Sequence, residues 1–317
     1  MADSARERYY VFGGKGGVGK TSLAASLAMK FANQGEPTLI ASMDRARSLG
    51  DTFGQDLSDG KIVPVNGVDS LFVAELGHYL GAKEDSSYLA SAICNIVGKI
   101  GLGALADPLG NTKLFEMLLT IPGLAEGIAI EKLIDIIKLS ESNKFRRVIL
   151  DTSDTGHTLN LLSAVTLIEK CFSMANKVVR LPALKSAFEK SYMDPASMEE
   201  LRKQIATVRD LIRDPKLTEF LIVTIPTVMA ITESSRFHAS LQKDGARVTR
   251  LIVNQVLSPS ASECKFCAVK RKEETRALNM IRADRELGGL KLIQASQQDV
   301  EVKGVPALRF FSDVVRK

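Results

Sequence analysis

The sequence predicts an α/β fold: a mostly parallel sheet covered by helices on both faces, with a helical subdomain inserted into it. Three observations predict it. Short apolar runs recur along the 317 residues, separated by helix-spaced stretches, which is the pattern of strands buried on both faces. A glycine-rich loop stands between the first run and the first helix. Two later runs deliver aspartates, Asp44 and Asp151, at the strand ends where open α/β sheets collect ligands.

Taken in order, Tyr9-Tyr10-Val11-Phe12 is the first strand, and Ser22-Leu23-Ala24-Ala25-Ser26-Leu27-Ala28 opens the first helix, which ends near Gly35. Between them, Gly14, Gly19, Lys20 and Thr21 fill the four fixed positions of G-x-x-x-x-G-K-[ST], in the strand–loop–helix context that a phosphate-binding P-loop requires. The candidate cradle is Gly14, Lys15, Gly16, Gly17, Val18, Gly19, Lys20, Thr21 and Ser22. Its backbone N–H groups converge on one anion, and the helix N-terminus adds its positive end. Lys20 would meet the β/γ-phosphates and Thr21 would give its hydroxyl to Mg²⁺. These features make the fold a P-loop NTPase with one nucleotide site per chain.

The runs 37–42, 71–75, 147–151, 219–226, 250–255 and 290–295 read as further strands, and no internal repeat is visible. Residues 88–139 differ in texture, being helix-spaced, apolar on more than one face and interrupted by glycines and prolines; a second helix is expected from about Met198 to Arg213. Together, approximately 84–140 and 184–214 form the expected helical subdomain inserted in an otherwise single 1–317 P-loop domain.

Asp151, after Val148-Ile149-Leu150, has the Walker-B position of an acid that holds Mg²⁺ through water and Thr21, with a helix N-cap as the plain alternative. Asp44 has the position of a carboxylate that orients the attacking water, with the same alternative. Thr152 to Thr158 has the small, hydroxyl-rich make-up of a γ-phosphate switch. Cys264-Lys265-Phe266-Cys267 has metal-ligand spacing but supplies two thiolates where structural zinc takes four ligands. A two-fold dimer would complete a Cys₄ site. A redox-active dithiol and two unrelated thiols are the other readings.

Composition narrows the class. Hydrophobic content of 45 % and a net charge of +5 describe a soluble globular protein, and the dispersed basic residues give little support to nucleic-acid binding. No secretory leader is visible. The longest charge-free stretch, Thr155 to Ile168, falls short of the roughly 20 residues that span a bilayer. The expectation is a soluble intracellular protein, not an integral membrane one.

These motifs resemble the ArsA and tail-anchored-protein targeting ATPases over nearly the whole chain. The likeness is carried by Gly13–Thr21, Asp44-x-Ala46-x-Ser48-Leu49-x-Asp51-x-Phe53, and Asp151-Thr152-x-x-Thr155-Gly156-His157-Thr158-Leu159. It continues in Glu233-Ser234-x-Arg236, Val253-Asn254-Gln255, the C-x-x-C pair and Gly304-Val305-Pro306-Ala307-Leu308. The resemblance implies a zinc-linked homodimer that opens and closes with ATP. In it Lys15 and Glu233 contact the partner's nucleotide, and Lys15 neutralises charge in trans beside Lys20 and Asp44. Asn254, Pro306 and Phe310 hold the adenine, and zinc is shared through Cys264 and Cys267 of two copies. The helical insertions form an apolar groove for a client's transmembrane segment, and a membrane receptor takes part. The run 214–226 and the ending from Gly304 look most like the organellar branch, in plastid stroma or mitochondrial matrix, with the cytoplasm as alternative. An ATP-independent redox holdase and an arsenite-pump ATPase are the competing functions.

The sequence departs from the family pattern in both switches, at Arg45, Arg47, Ser153, Asp154 and Asn160. A pairing of Arg45 or Arg47 with Asp154 is expected to balance the added charge. The altered switches leave nucleotide binding better supported than fast hydrolysis.

Overall fold

The computed structural model describes residues 8–44, 46–77, 124–141, 144–166, 195–258 and 264–312. Its strands are β1 (Arg8–Gly14), β2 (Thr38–Ser42), β3 (Val63–Pro64), β4 (Leu71–Glu75), β5 (Arg147–Asp151), β6 (Thr218–Thr224), β7 (Val248–Val256) and β8 (Lys291–Ser296). They form one sheet in the order β3-β4-β2-β5-β1-β6-β7-β8. All pairings are parallel except β3 with β4.

Each central strand is apolar through its middle, so its two side-chain sets serve two cores. Tyr9, Val11, Leu39, Ala41, Val148, Leu150, Phe220 and Ile222 face one. Tyr10, Phe12, Ile40, Ile149, Leu221 and Val223 face the other. The second face is covered by α1 (Lys20–Asn33), α2 (Ser48–Phe53) and, at the chain's end, a helix over Gly304–Phe311. The first carries α3 (Leu124–Glu141), α4 (155–166), α5 (Pro195–Arg213), α6 (Val228–Lys243) and α7 (Lys265–Ala283). The terminal Gly304–Phe311 helix is α8, seated on α1 through Leu308 and Phe311.

The α/β class and the run of strands follow the sequence reading. The antiparallel edge β3 was not expected, because a two-residue strand shows no periodicity. Its Pro64 sits where an absent N–H costs no ladder bond. Of the inserted subdomain, 84–123 and 184–194 lie outside the described residues; 124–140 falls in α3, and the second expected helix begins at Pro195 rather than Met198. Among the described residues, no helix is long and apolar enough to cross a membrane.

Candidate active site

Three strand ends build the site. Parallel register sets Ser42 of β2 beside Asp151 of β5, and Asp151 beside Phe12 of β1. The chain then leaves β1 as the glycine loop. Gly19 precedes α1 at φ 87°, a left-handed conformation that a side chain resists. A Cβ there would also collide with the Asn254 amide. The first turn of α1 carries no acidic residue of its own, which favours an anion at its positive end. Lys20 is buried, and its Nζ donates to the Lys15 carbonyl at 2.9 Å. Burial lowers its pKa, opposed chiefly by the charge of Asp151. Asn254, at the end of β7, donates through Nδ2 to the Val18 carbonyl at 2.9 Å and braces the loop from behind.

Asp151 is fully buried. Its Oδ2 accepts from Thr21 Oγ1 at 2.8 Å and from Ser42 Oγ at 3.2 Å. Among the described residues its Oδ1 has no hydrogen-bond partner. Burial pushes the carboxyl up to about 6, against the pull of Thr21 and Lys20. A buried carboxylate oxygen left open beside a hydroxyl is the donor set that a hydrated Mg²⁺ takes, so Thr21 and Asp151 fit the metal expected with ATP. Asp151 is not a helix cap; α4 begins at Thr155.

Asp44 is half-buried just past β2. Its own N–H donates to Ser42 Oγ at 3.2 Å, and its Oδ1 accepts from the Ala46 N–H at 3.1 Å. It therefore closes an Asx turn rather than capping α2, whose N-cap is Arg47. Ser48, the first residue of α2, brings its Oγ to 3.4 Å from Thr21 Oγ1. Sequence reading passed over Ser42, and it saw Glu75 only as the end of a strand. Yet Glu75, like Asp44 and Asp151, is an acid at the C-terminal end of a parallel strand, and that was the available signal.

On the other side of the loop, Thr152 Oγ1 donates to the Phe12 carbonyl at 2.7 Å and lies 2.7 Å from Thr158 Oγ1. Asp154 caps α4, accepting from the His157 N–H at 2.7 Å. One oxygen of the Asp154 carboxylate thus serves a cap. The charge of Arg47 acts on Asp56, which it helps hold below the usual carboxylate range after the hydrogen bonds from Ser58. Arg45 lies outside the described residues. Thr155 Oγ1 donates to Glu233 Oε1 at 3.0 Å, and Glu233 Oε2 lies 3.4 Å from Lys15 Nζ.

Residues 7–317 match the family described as anion-transporting ATPase. The chain belongs to that family. It is 47 % identical over 331 residues to ATPase GET3B of Arabidopsis thaliana, covering all of this chain and 80 % of that one. It is 45 % identical over 329 residues to ATPase GET3C of the same plant, covering all of this chain and 84 % of the other. It is 28 % identical over 322 residues to ATPase get3 of Schizosaccharomyces pombe, covering 98 % and 91 %. The protein is thus an ATPase.

The remaining expected residues of this ATPase lie further out. Pro306 and Phe310 are exposed on α8, the latter at 79 %. Cys264 is the N-cap of α7, its Sγ accepting from the Cys267 N–H at 3.4 Å. Exposed Phe266 and Val269 flank the pair. Among the described residues, no three His, Cys, Asp or Glu side chains come together as a metal site.

Proposed function

We propose that this ATPase works as a homodimer that escorts the transmembrane segments of tail-anchored proteins, with ATP binding and hydrolysis setting the shape of the client groove. The observation that carries the reading is the packing of α4. This helix starts in the γ-phosphate switch at Thr155 and lies under the two described helices of the inserted subdomain. Leu161 and Leu162 of α4 share a small apolar cavity with Ile136 and Ile137 of α3 and Val208 of α5. α3 and α5 also pack on each other. A movement of the Asp151–Thr155 segment is thereby passed through close-packed side chains to the client-binding helices.

In the site, the loop N–H groups and Lys20 hold the phosphates, and Thr21 and Asp151 hold Mg²⁺. The metal, when bound, neutralises phosphate charge. Asp44 orients the attacking water, aided by the Asx turn that fixes its carboxylate. Lys15 supplies charge to the partner's nucleotide. The Cys264–Cys267 pair, carried on an exposed apolar helix start, fits a zinc ion shared with a second copy. Asn254, Pro306 and Phe310 border the base. The organellar placement and the membrane receptor rest on the family resemblance.

The test is capture of a lysine-flanked transmembrane peptide by the purified protein, with ATP, with ADP and without nucleotide, alongside single-turnover hydrolysis. Capture that requires ATP, and turnover lost in Asp44→Asn, support targeting. Capture that ignores nucleotide and follows oxidation of the cysteines supports the redox-holdase reading instead. For the zinc-linked dimer, native mass spectrometry is expected to show one zinc per two chains, lost in C264S/C267S. A zinc-free wild-type dimer overturns that part.

A further inference from the structure

We infer that the end of β4, Glu75-Leu76-Gly77, is the seat that positions the first switch, with Glu75 as a positioning residue for ATP hydrolysis. The inference rests on the roles given above to Asp44 and Ser48. Glu75 is 2 % exposed and pairs in register with Ser42, on the opposite side of β2 from Asp151. Its Oε1 accepts from the Leu49 and Gly50 N–H groups, each at 2.9 Å. Those are second- and third-position amides of α2, which an N-terminus leaves without partners. The local chain does not serve them, because Arg47 at the N-cap makes no side-chain cap bond. A carboxylate from another strand does the capping, and charge-assisted bonds of this kind are stronger than neutral ones.

A second contact acts on the same loop from the same strand end. A Cβ on Gly77 would run into the backbone carbonyl group of Asp44. The missing side chain lets the Asp44 backbone lie flat against β4, and the Leu76 N–H donates to the Ser42 carbonyl at 2.8 Å. Glu75 thus fixes the start of α2, and with it Ser48 beside Thr21, while Gly77 fixes the height of Asp44. Both act through the residues they hold.

The experiment compares single-turnover hydrolysis, ATP affinity and amide hydrogen exchange in E75A, E75D, E75Q and G77A. E75A and G77A are expected to hydrolyse about 30- to 100-fold more slowly while ATP affinity stays within about three-fold, because misplacing a reacting group by an ångström costs on that order. Exchange protection of Leu49 and Gly50 is expected to be lost in nucleotide-free E75A. E75Q, which keeps an acceptor at the same reach, is expected to retain that protection and to hydrolyse within about five-fold of wild type. E75D, charged but shorter, is expected to behave like E75A. Turnover of E75A within three-fold of wild type, or E75D outperforming E75Q, overturns the inference. An Asp44→Asn control separates it from the reading beneath it. Normal turnover in D44N removes the role of Asp44, whereas an inactive D44N beside a normal E75A removes this inference alone.

Discussion

Lys15 Nζ and Glu233 Oε2 lie 3.4 Å apart within one chain, and the other oxygen of Glu233 is held by Thr155 of the second switch. The lysine that the family resemblance sends to a partner's nucleotide is thus tethered at home, through Glu233, to Thr155 of its own chain. Both side chains are substantially exposed, at 43 % and 34 %, so the tether is worth less than about 1 kcal/mol and is easily exchanged. Lys15→Ala is expected to leave the melting profile nearly unchanged. At protein concentrations that support dimers it should lower turnover on the order of a hundred-fold, the usual loss when one transition-state donor is removed. On the proposal that Lys15 acts in trans, the deficit should fade on dilution to monomers, where wild type slows too. A concentration series of ATPase rates checks this; an equal deficit at every dilution assigns Lys15 to its own nucleotide.

The burial of Asp151 makes stability depend on pH in a defined direction. Its carboxyl titrates near 6 when folded, raised from 3.8, so the folded nucleotide-free chain binds a proton that the unfolded chain has released. The contribution is fully present below about pH 4 and is lost as pH rises through 6. About two pH units correspond to about 3 kcal/mol. Relative to Asp151→Asn, wild type should therefore lose on that order of stability between pH 4 and pH 7. Urea unfolding of both proteins across that range measures it, and the fixed cost of the new amide cancels from the comparison. Parallel pH profiles would mean the carboxyl is not held in its neutral form.

The cavity between α3, α4, α5 and the sheet, of about 30 Å³ with no polar surface, is close to the volume of one added methyl group. Val208 lines it and is 1 % exposed. Val208→Ile should fill it and raise stability by up to about 1 kcal/mol, the worth of one buried methylene. Leu161→Ala should enlarge it and cost about 2–5 kcal/mol. Thermal melts distinguish the two signs. A destabilised V208I would show that the site cannot accept the extra volume without shifting α4.

The architecture was legible because its signals are local. Uninterrupted apolar runs such as Leu39–Ala41 and Val148–Leu150, bounded by turn residues, read as strands covered twice, and the loop from Gly14 to Thr21 declares its ligand by spacing and flanks together. What was illegible depends on register. Ser42 lies beside both Asp151 and Glu75 only because β2 pairs between β5 and β4, and no periodicity announces which strands are neighbours. The arginine substitutions in the first switch suggested a charge pair with Asp154 because opposite charges invite pairing. Asp154 also meets a demand that the charge pattern does not announce, the helix N-terminus at Thr155, which its Asx side chain caps. Glu75 was missed for the converse reason: it caps a helix 25 residues earlier in the chain, beyond the reach of any capping-box pattern.

The same distinction decides what Asn254 does. Its Nδ2 is spent on the Val18 carbonyl, in contact with the left-handed Gly19 that opens α1. Removing it leaves a loop carbonyl without its buried donor, at a cost of about 1–3 kcal/mol. The loss falls on the part of the site that every nucleotide uses. Asn254→Ala should therefore weaken ATP, ADP and GTP alike, by about tenfold for each 1.4 kcal/mol lost. Asn254→Asp should be worse, because a carboxylate cannot donate to Val18 and places a negative charge behind a phosphate cradle. Calorimetric titration of the three nucleotides reads both effects. A uniform loss makes Asn254 a brace of the loop; a loss confined to ATP and ADP, with GTP spared, makes its contact with adenine the dominant one.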